Sequence, residues 1–427
     1  MKRILTGITC CILLGHFSQS QSIYSFQGLG SLNHQGMPNN VGMGEVGIGT
    51  PAIWHINTQN PANLIYNTLS TFQVGLEVDR RSFSGDGVSG NDTGGGLRFL
   101  GYAFPVIQGK WSSSIGILPY SSVDYNTFSQ GEVLGTENPV QQISDNRGEG
   151  GLTNFYWANG FRIKKKLLVG LRINYTFGSI EKNSDIVLFE QREVINDGDT
   201  TVVNFQIGDP VSSFLQQSYS DMNFLFGLGY RHTLSEESFL NFGLTYSAKS
   251  SLSGNSDLSL TRLSSAGGEI ETVEVSSESI TFDLPQTLGF GMSYEKVDLY
   301  KIGVDYETQA WNGAGDESED FNNSYKLSMG ISWIPDYDNV NSYWKRTRYS
   351  AGFNYQRLPY IVNNRSLTDF GINFGASLPV SGFSSLDLAF KWGQLGESSN
   401  GLIKETYYKV VIGATINDRW FIKRKYD

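Results

Sequence analysis

Apolar and polar residues alternate with a period of two along most of the chain. In residues 167–178, Leu167, Val169, Leu171, Ile173, Tyr175 and Phe177 share one face; Leu168, Gly170, Arg172, Asn174, Thr176 and Gly178 share the other. Residues 298–307 set Tyr300, Ile302, Val304 and Tyr306 against Lys301, Gly303, Asp305 and Glu307. Residues 385–393 set Leu386, Leu388, Phe390 and Trp392 against Asp387, Ala389, Lys391 and Gly393. Successive side chains of a strand point to opposite faces, so each run predicts a β-strand with one apolar face. Fourteen such cores can be marked: 71–83, 96–107, 110–124, 148–163, 166–182, 217–233, 237–249, 283–295, 297–311, 321–334, 346–357, 367–379, 384–397 and 403–415. A soluble sandwich would turn the apolar face inward. Here that face is rich in aromatics near strand ends (Tyr175, Tyr230, Tyr246, Tyr294, Tyr306, Trp333, Trp392), as the girdles of a membrane barrel are. The opposite face holds more glycine than a solvent face needs, which suits a crowded lumen. The pattern predicts an all-β chain, a 14-stranded antiparallel transmembrane β-barrel, over residues 71–415. The even number is what antiparallel closure with both termini on one side requires.

Connection lengths add an orientation. Short links at 108–109, 164–165, 234–236 and 380–383 alternate with long ones at 84–95, 125–147, 183–216, 250–282 and 312–320. Short turns belong to the periplasmic side of such barrels and long loops to the outside, which predicts both barrel termini in the periplasm. Segment 335–345 is long where a short turn is expected. The two longest loops, 183–216 and 250–282, alternate in their own right and predict hairpins standing above the membrane.

The ends of the chain read differently. Met1-Lys2-Arg3, a short apolar run over residues 4–15 and Ser18-Gln19-Ser20 form a secretory signal peptide cut near Ser20. Its loss removes Cys10 and Cys11, both cysteines of the chain, and takes the net charge from −10 to −12 by removing Lys2 and Arg3. Residues 21–70 have no sustained period, many Gly and Asn, and one apolar cluster. They predict a plug, or hatch, folded into the barrel mouth; the alternative is a loose tail. Residues 416–427 end in a basic tail containing Lys423, Arg424 and Lys425.

Composition narrows the class. Only 17% of the 427 residues are charged, 49 are Gly and 13% are aromatic. That aromatic density excludes a disordered chain. An acidic chain without a basic stripe excludes a general nucleic-acid binder. No stretch after residue 20 approaches the roughly 20 apolar residues of a spanning helix.

The polar strand face is the expected lumen. It includes Arg172, Asn174, Asn223, Arg231, Asp305, Glu307, Asp387, Lys391 and Lys409, with Leu168 and Leu225 among the few apolar exceptions. A hydrophobic conduit needs apolar inward side chains, whereas opposed charges across a lumen brace a closed barrel or hold a plug. A lipophilic ligand is therefore expected among loops and hatch, near Ile53, Trp54, Phe189, Phe205, Phe214 and Leu215. Other chemistry is poorly supported. Gly42-x-Gly44-x-x-Gly47 spells a dinucleotide fingerprint but follows no strand and opens no helix. His34, His55 and His232 lack metal-ligand spacing. The acidic run Asp316–Asp320 lacks the regular spacing of a calcium loop. His232 with Ser235 and Glu236 sits in one turn, where a triad cannot be assembled. No enzyme, metal or cofactor is expected.

Gly42-Met43-Gly44-Glu45-Val46-Gly47, then Asn60-Pro61-Ala62-Asn63-Leu64, then the first strand, resembles the start of the FadL family of outer-membrane transporters for fatty acids and other hydrophobic compounds. The resemblance implies an N-terminal hatch inside a fourteen-stranded barrel, with gating by Asn60, Pro61, Ala62, Gly42, Gly44 and Gly47. It also implies an outer ligand site formed with the long third and fourth loops, here again the longest. The version here resembles distant relatives in Bacteroidota, some of which serve as components of the type IX secretion system. Two functions follow as expectations: passive uptake of a hydrophobic small molecule, or an accessory barrel docked to a secretion or surface machine through an outer-membrane or periplasmic protein partner. A surface receptor or adhesin working through the long loops is a third. All three place the chain among outer-membrane lipids.

Overall fold

A computed structural model describes residues 22–85, 88–133, 139–196, 199–264, 266–315, 321–380, 382–398 and 401–419. The leader expected over residues 1–20, the acidic run Asp316–Asp320 and the basic Lys423, Arg424 and Lys425 lie outside the described residues.

Fourteen antiparallel strands close into one barrel: β1 (Ser70–Gly85), β2 (Val88–Ile107), β3 (Trp111–Pro119, continuing as Ser121–Val133), β4 (Val140–Lys164), β5 (Leu167–Asn196), β6 (Val211–Thr233), β7 (Ser238–Ser247, continuing as Ser250–Leu263), β8 (Glu269–Leu284, continuing as Gln286–Lys296), β9 (Tyr300–Ala310), β10 (Ser324–Trp333), β11 (Arg348–Val362), β12 (Arg365–Pro379), β13 (Ser385–Leu395) and β14 (Lys404–Asp418). Each pairs with its neighbour, and β14 closes on β1 from Lys404↔Ser84 to Asp418↔Ser70. The outer face is apolar and exposed, as in Met222, Phe224, Phe226, Leu228 and Tyr230 of β6, while Asn223 between them is buried. A continuous apolar band of this kind is a lipid-facing surface. We call the end holding Ser70 and Asp418 the terminus end and the opposite one the hairpin end.

The strands run past the limits that hydropathy marks. Residues 84–95 and 125–147, expected to be loops, are largely strand, and 183–216 and 250–282, expected to form hairpins above the membrane, are paired strand extensions. β4 reaches 25 residues and β5 reaches 30. Asp199–Gln206 pairs with Phe189–Asn196 and prolongs the line of β6. Above a lipid band the outward face of a strand meets water, so over 84–95 and 125–147 the outward apolar row is lost while the ladder of backbone hydrogen bonds continues. The expected barrel limit at 415 falls within β14, which runs on to Asp418. Segment 335–345 is a genuine long connection at the terminus end, and a short helix, Tyr343–Arg346, begins within it.

Residues 22–69 lie inside the wall. They form a 3-10 turn (Ile23–Phe26), a two-residue strand (Ser31–Leu32), a short helix (Pro38–Gly42) and a second 3-10 turn (Pro61–Tyr66). Pro61 has no N–H to leave unpaired at the first position of its turn, and the Asn60 side chain caps it by accepting from the Ala62 N–H at 3.1 Å. Ser31–Leu32 pairs with Ser121–Ser122 of β3, above the point where β3 leaves β2.

Candidate functional site: the occupied lumen

The lumenal segment and the wall are shaped to each other by glycine. On ten of the fourteen strands, β4 to β12 and β14, at least one inward glycine meets the segment where a β-carbon would overlap it. Gly160 faces the Pro61 carbonyl and Gly170 the Ala62 N–H. Gly227 faces the Asn60 side chain, Gly243 the Ile48 carbonyl and Gly291 the Gly49 N–H. Gly303 meets Val46 and Thr50; Gly330, Gly352, Gly375 and Gly413 meet Met43, Gly44, Gly42 and Pro38. Cross-strand register aligns several at one level: Gly160 with Gly170, Gly170 with Gly227, and Gly303 with Gly330 with Gly352. They form a belt. On β2 and β3 the segment rests on side chains instead, Met37, Ile56 and Leu64 packing with Phe99, Ala103 and Leu118.

Buried polar anchors fix the segment to that belt. The Asp305 carboxylate of β9 accepts three consecutive backbone N–H groups, from Gly47 at 2.6 Å, Ile48 at 2.7 Å and Gly49 at 3.3 Å. Successive N–H groups turned to one point make an anion-binding nest. Just upstream, Gly44 and Glu45 both take left-handed backbone angles, φ 70° and 69°. That bend turns the Glu45 side chain onto Lys391 of β13 at 3.0 Å and Lys326 of β10 at 2.5 Å. Burial opposes ionisation of Glu45, but Lys326 and Lys391 outweigh it and hold the carboxyl well below the usual carboxylate range. Burial, reinforced by Lys326, keeps His34 well below the ordinary imidazole range. His55 Nε2 lies 3.0 Å from Asp387 of β13, whose carboxylate also accepts from Thr415 at 2.6 Å. The Asn60 side chain donates to the Leu228 carbonyl of β6 at 3.0 Å, and Arg172 of β5 donates to the Thr58 carbonyl.

Between the anchors and the hairpin end is a chamber of about 290 Å³. Its walls carry Arg172, Glu307, Arg98, Glu77, Lys326 and Lys409 among others. Glu77 bridges Arg98 at 2.7 Å and Lys409 at 2.8 Å. Above the chamber the inward face changes character. Leu29 of the segment packs with Leu152, Ile180, Tyr219, Leu252, Phe282 and Trp311 of the wall. Edge-on ring contacts run Tyr219–Phe282 at 6.4 Å, Phe282–Trp311 at 6.4 Å and Phe321–Tyr360 at 6.1 Å. An apolar cap thus sits on a charged chamber.

The residues singled out from the sequence fall into three groups. Gly42, Gly44, Gly47, Asn60, Pro61 and Ala62 all lie in the segment, each but Gly47 facing a belt glycine. Arg172, Asp305, Asp387 and Lys391 are buried in the lumen. Arg231 bonds Glu295 at 3.2 Å, and Lys409 bonds Glu77. The ligand candidates are divided. Trp54, next to Ile53, stacks on Phe383 at 4.6 Å at the terminus end, and its carbonyl accepts from Asn417. Phe189, Phe205, Phe214 and Leu215 sit on strand extensions at the hairpin end, with Phe205 and Phe214 exposed. The structure does not bring the two sets together. The apolar cap was not singled out, although Leu152, Ile180 and Tyr219 lie on the inward parity of their strands. Among the described residues no three His, Cys, Asp or Glu side chains are grouped to hold a metal.

A family model described as BamG matches residues 1–427. Solved structures share the fold at low identity. The monoaromatic hydrocarbon channel CymD is 17% identical, with TM-score 0.55 over 91% of this chain and 99% of that one. The Pseudomonas putida toluene transporter TodX is 14% identical, with TM-score 0.55 over 91% and 99%. A Pseudomonas aeruginosa FadL homologue is 12% identical, with TM-score 0.52 over 91% and 98%. Among curated proteins no relative matches. The fold is therefore that of the FadL-type barrels.

Proposed function

The chain belongs to the BamG family, and for this member we propose a closed outer-membrane barrel that acts through proteins it holds and not through a pore. Both barrel termini face the periplasm in this reading and the long strand extensions face outward, in keeping with the lengths of the two sets of connections.

One observation carries the proposal: the wall is built around the segment that fills it. The belt leaves no room for side chains, and the anchors join charged groups on both sides. Each buried hydrogen bond to a charged group contributes about 1.5–3 kcal/mol. Releasing Asp305, Glu45 and Asp387 together would cost on the order of 10 kcal/mol, about seven decades in the open population. A hydrophobic solute entering from the hairpin end would have to cross a chamber ringed by ionic groups, which desolvation makes a poor path, before it reached the seated segment. Reconstituted in a planar bilayer, the protein is expected to show no steady conductance, and deletion of residues 22–69 to produce one. Extraction in mild detergent is expected to retain a partner at fixed stoichiometry. A steadily conducting full chain, or one always recovered alone, would overturn the proposal.

The apolar cap favours a second reading, uptake of a hydrophobic small molecule. TodX is a toluene transporter and CymD a monoaromatic hydrocarbon channel, and Tyr219, Phe282 and Trp311 offer an aromatic box at the hairpin end. Toluene would then quench fluorescence saturably, and Trp311→Phe would abolish that part of the signal. Linear quenching without saturation would remove this reading.

A further inference from the structure

Among the described residues the wall at the hairpin end opens at more than one seam: β2 and β3 part above Leu100↔Ile117, and β8 and β9 part above Gln286↔Ala310. Gln286–Lys296, the lower part of β8, is paired on both sides, with β7 and β9. The upper part, Glu269–Leu284, pairs with Ser250–Leu263 of β7 alone. β9 ends at Ala310, opposite Gln286. Among the described residues only one bridge continues above it, Asp283 with Gly315, through N–H···O contacts of 3.2 and 2.7 Å. In an antiparallel strand alternate residues direct their N–H and C=O to the same edge. Asp283 uses both of its groups on the open edge, so Thr281, Ser279 and Ser277 direct theirs the same way. Among the described residues no backbone partner meets them there.

An open edge of this length is a template for another strand, and sheets usually blunt such edges with lysine, proline or a covering element. Glu269–Leu284 contains neither lysine nor proline. It carries Glu269, Glu271, Glu274 and Glu278, and it exposes Ile270, Val273 and Val275. Its partner strand adds Asp257 and one cation, Arg262, which already lies 3.5 Å from Glu271 and 3.7 Å from Asp209. Two copies of this edge would set glutamates against glutamates, which disfavours self-pairing. A strand bearing cations meets the opposite situation.

We propose that Glu269–Thr281 is a β-augmentation site for an extended segment of another protein that alternates lysine or arginine with aliphatic residues. Ser277, Ser279 and Thr281 supply the main-chain hydrogen bonds, and the glutamates select the charge, Glu271 and Glu278 on one face of the strand and Glu269 and Glu274 on the other. The inference rests on reading the chain as a partner-holding barrel and gives that partner its chemistry. The test uses the full chain in detergent and a labelled ten-residue peptide of alternating lysine and valine, read by fluorescence anisotropy. Ser279→Pro removes an N–H that faces the open edge, where proline is tolerated in a strand, and is expected to weaken binding at least tenfold. Glu271→Gln with Glu274→Gln and Glu278→Gln is expected to weaken it and flatten its salt dependence. A peptide of the same composition with proline at every third position, unable to form a strand, is expected not to bind. Absence of binding to the parent chain, binding unaffected by Ser279→Pro, or equal binding of the proline-containing peptide would each overturn the proposal. A conducting barrel that still binds the peptide would instead sink only the closed-barrel reading.

Discussion

Replacing Asp305 by Ala should free the lumenal segment without unfolding the barrel. Asp305 stands on β9, whose pairing with β8 and β10 uses backbone groups alone, so the ladder survives the substitution. The N–H groups of Gly47 and Ile48 lose acceptors at 2.6 and 2.7 Å, and that of Gly49 loses a weaker one at 3.3 Å. Two short hydrogen bonds to a charged acceptor are worth about 3–6 kcal/mol. Asp305 and Ile48 both border the chamber, so water can reach the stranded N–H groups, and we expect about 2–4 kcal/mol to be lost. At 1.4 kcal/mol per tenfold, amide exchange in residues 44–52 should quicken about 30- to 700-fold. Exchange in residues 222–230 of β6 should not change. Asp305→Asn keeps one acceptor oxygen and should fall between. If Asp305→Ala leaves exchange over 44–52 unaltered in a folded barrel, the carboxylate is not the latch.

Three further outcomes follow from the same geometry. Acid should loosen the segment in two steps: a released His34 gains a proton the seated one refuses, so seating weakens below about pH 6.5. A released Glu45 protonates near its ordinary value while the seated one stays ionised, so a second loss follows below about pH 4.5. Exchange of residues 34–62, corrected for intrinsic rate, measures both; tighter seating at pH 5 than at pH 8 would contradict them. Gly170→Val puts a side chain into the Ala62 N–H, an overlap costing at least about 1–3 kcal/mol, and should raise bilayer conductance while electrophoretic mobility still reports a folded barrel; a silent, fully seated variant would show that the belt yields. Trp54→Ala removes the stack on Phe383, about 0.5–1.5 kcal/mol beyond burial, and should quicken exchange over residues 50–57 about tenfold with no change at the hairpin end.

The barrel was legible because lipid enforces the period. Phe224, Phe226 and Leu228 must be apolar on one side of Asn223 and Gly227, and that constraint acts strand by strand. Inward charges were legible for the same reason: Arg172, Asp305 and Lys391 interrupt apolar runs on the opposite parity. Where the constraint stops, so did the reading. Residues 125–147 lack a sustained outward apolar row, so their hydrogen-bond ladder left no hydropathy trace, whereas 183–216 and 250–282 kept an alternation of their own and read as hairpins. The belt was invisible because it depends on register between strands, and Gly303, Gly330 and Gly352 are ordinary glycines until they stand in line. The Asp305 nest has no sequence mark beyond two nearby glycines, because its donors are backbone. Apolar character alone did not locate a ligand site, since Trp54 and Phe214 are both aromatic and stand at opposite ends of the barrel.

The division of labour inside the lumen decides what kind of barrel this is. A segment held only by charges would be released by any competitor able to replace them, and a segment held only by shape would slide along a smooth wall. Here the two act on the same few residues. Ile48 places its carbonyl over Gly243 and its N–H on Asp305. Asn60 places its side chain over Gly227 and on the Leu228 carbonyl. Moving either residue along the wall breaks its hydrogen bond and drives the group seated over its glycine into a side chain at once. The segment therefore has one seated position separated from any other by both penalties together. Such a lumen favours a device that stays shut, and it leaves the strand extensions at the hairpin end, where no such double constraint acts, as the surface free to meet something else.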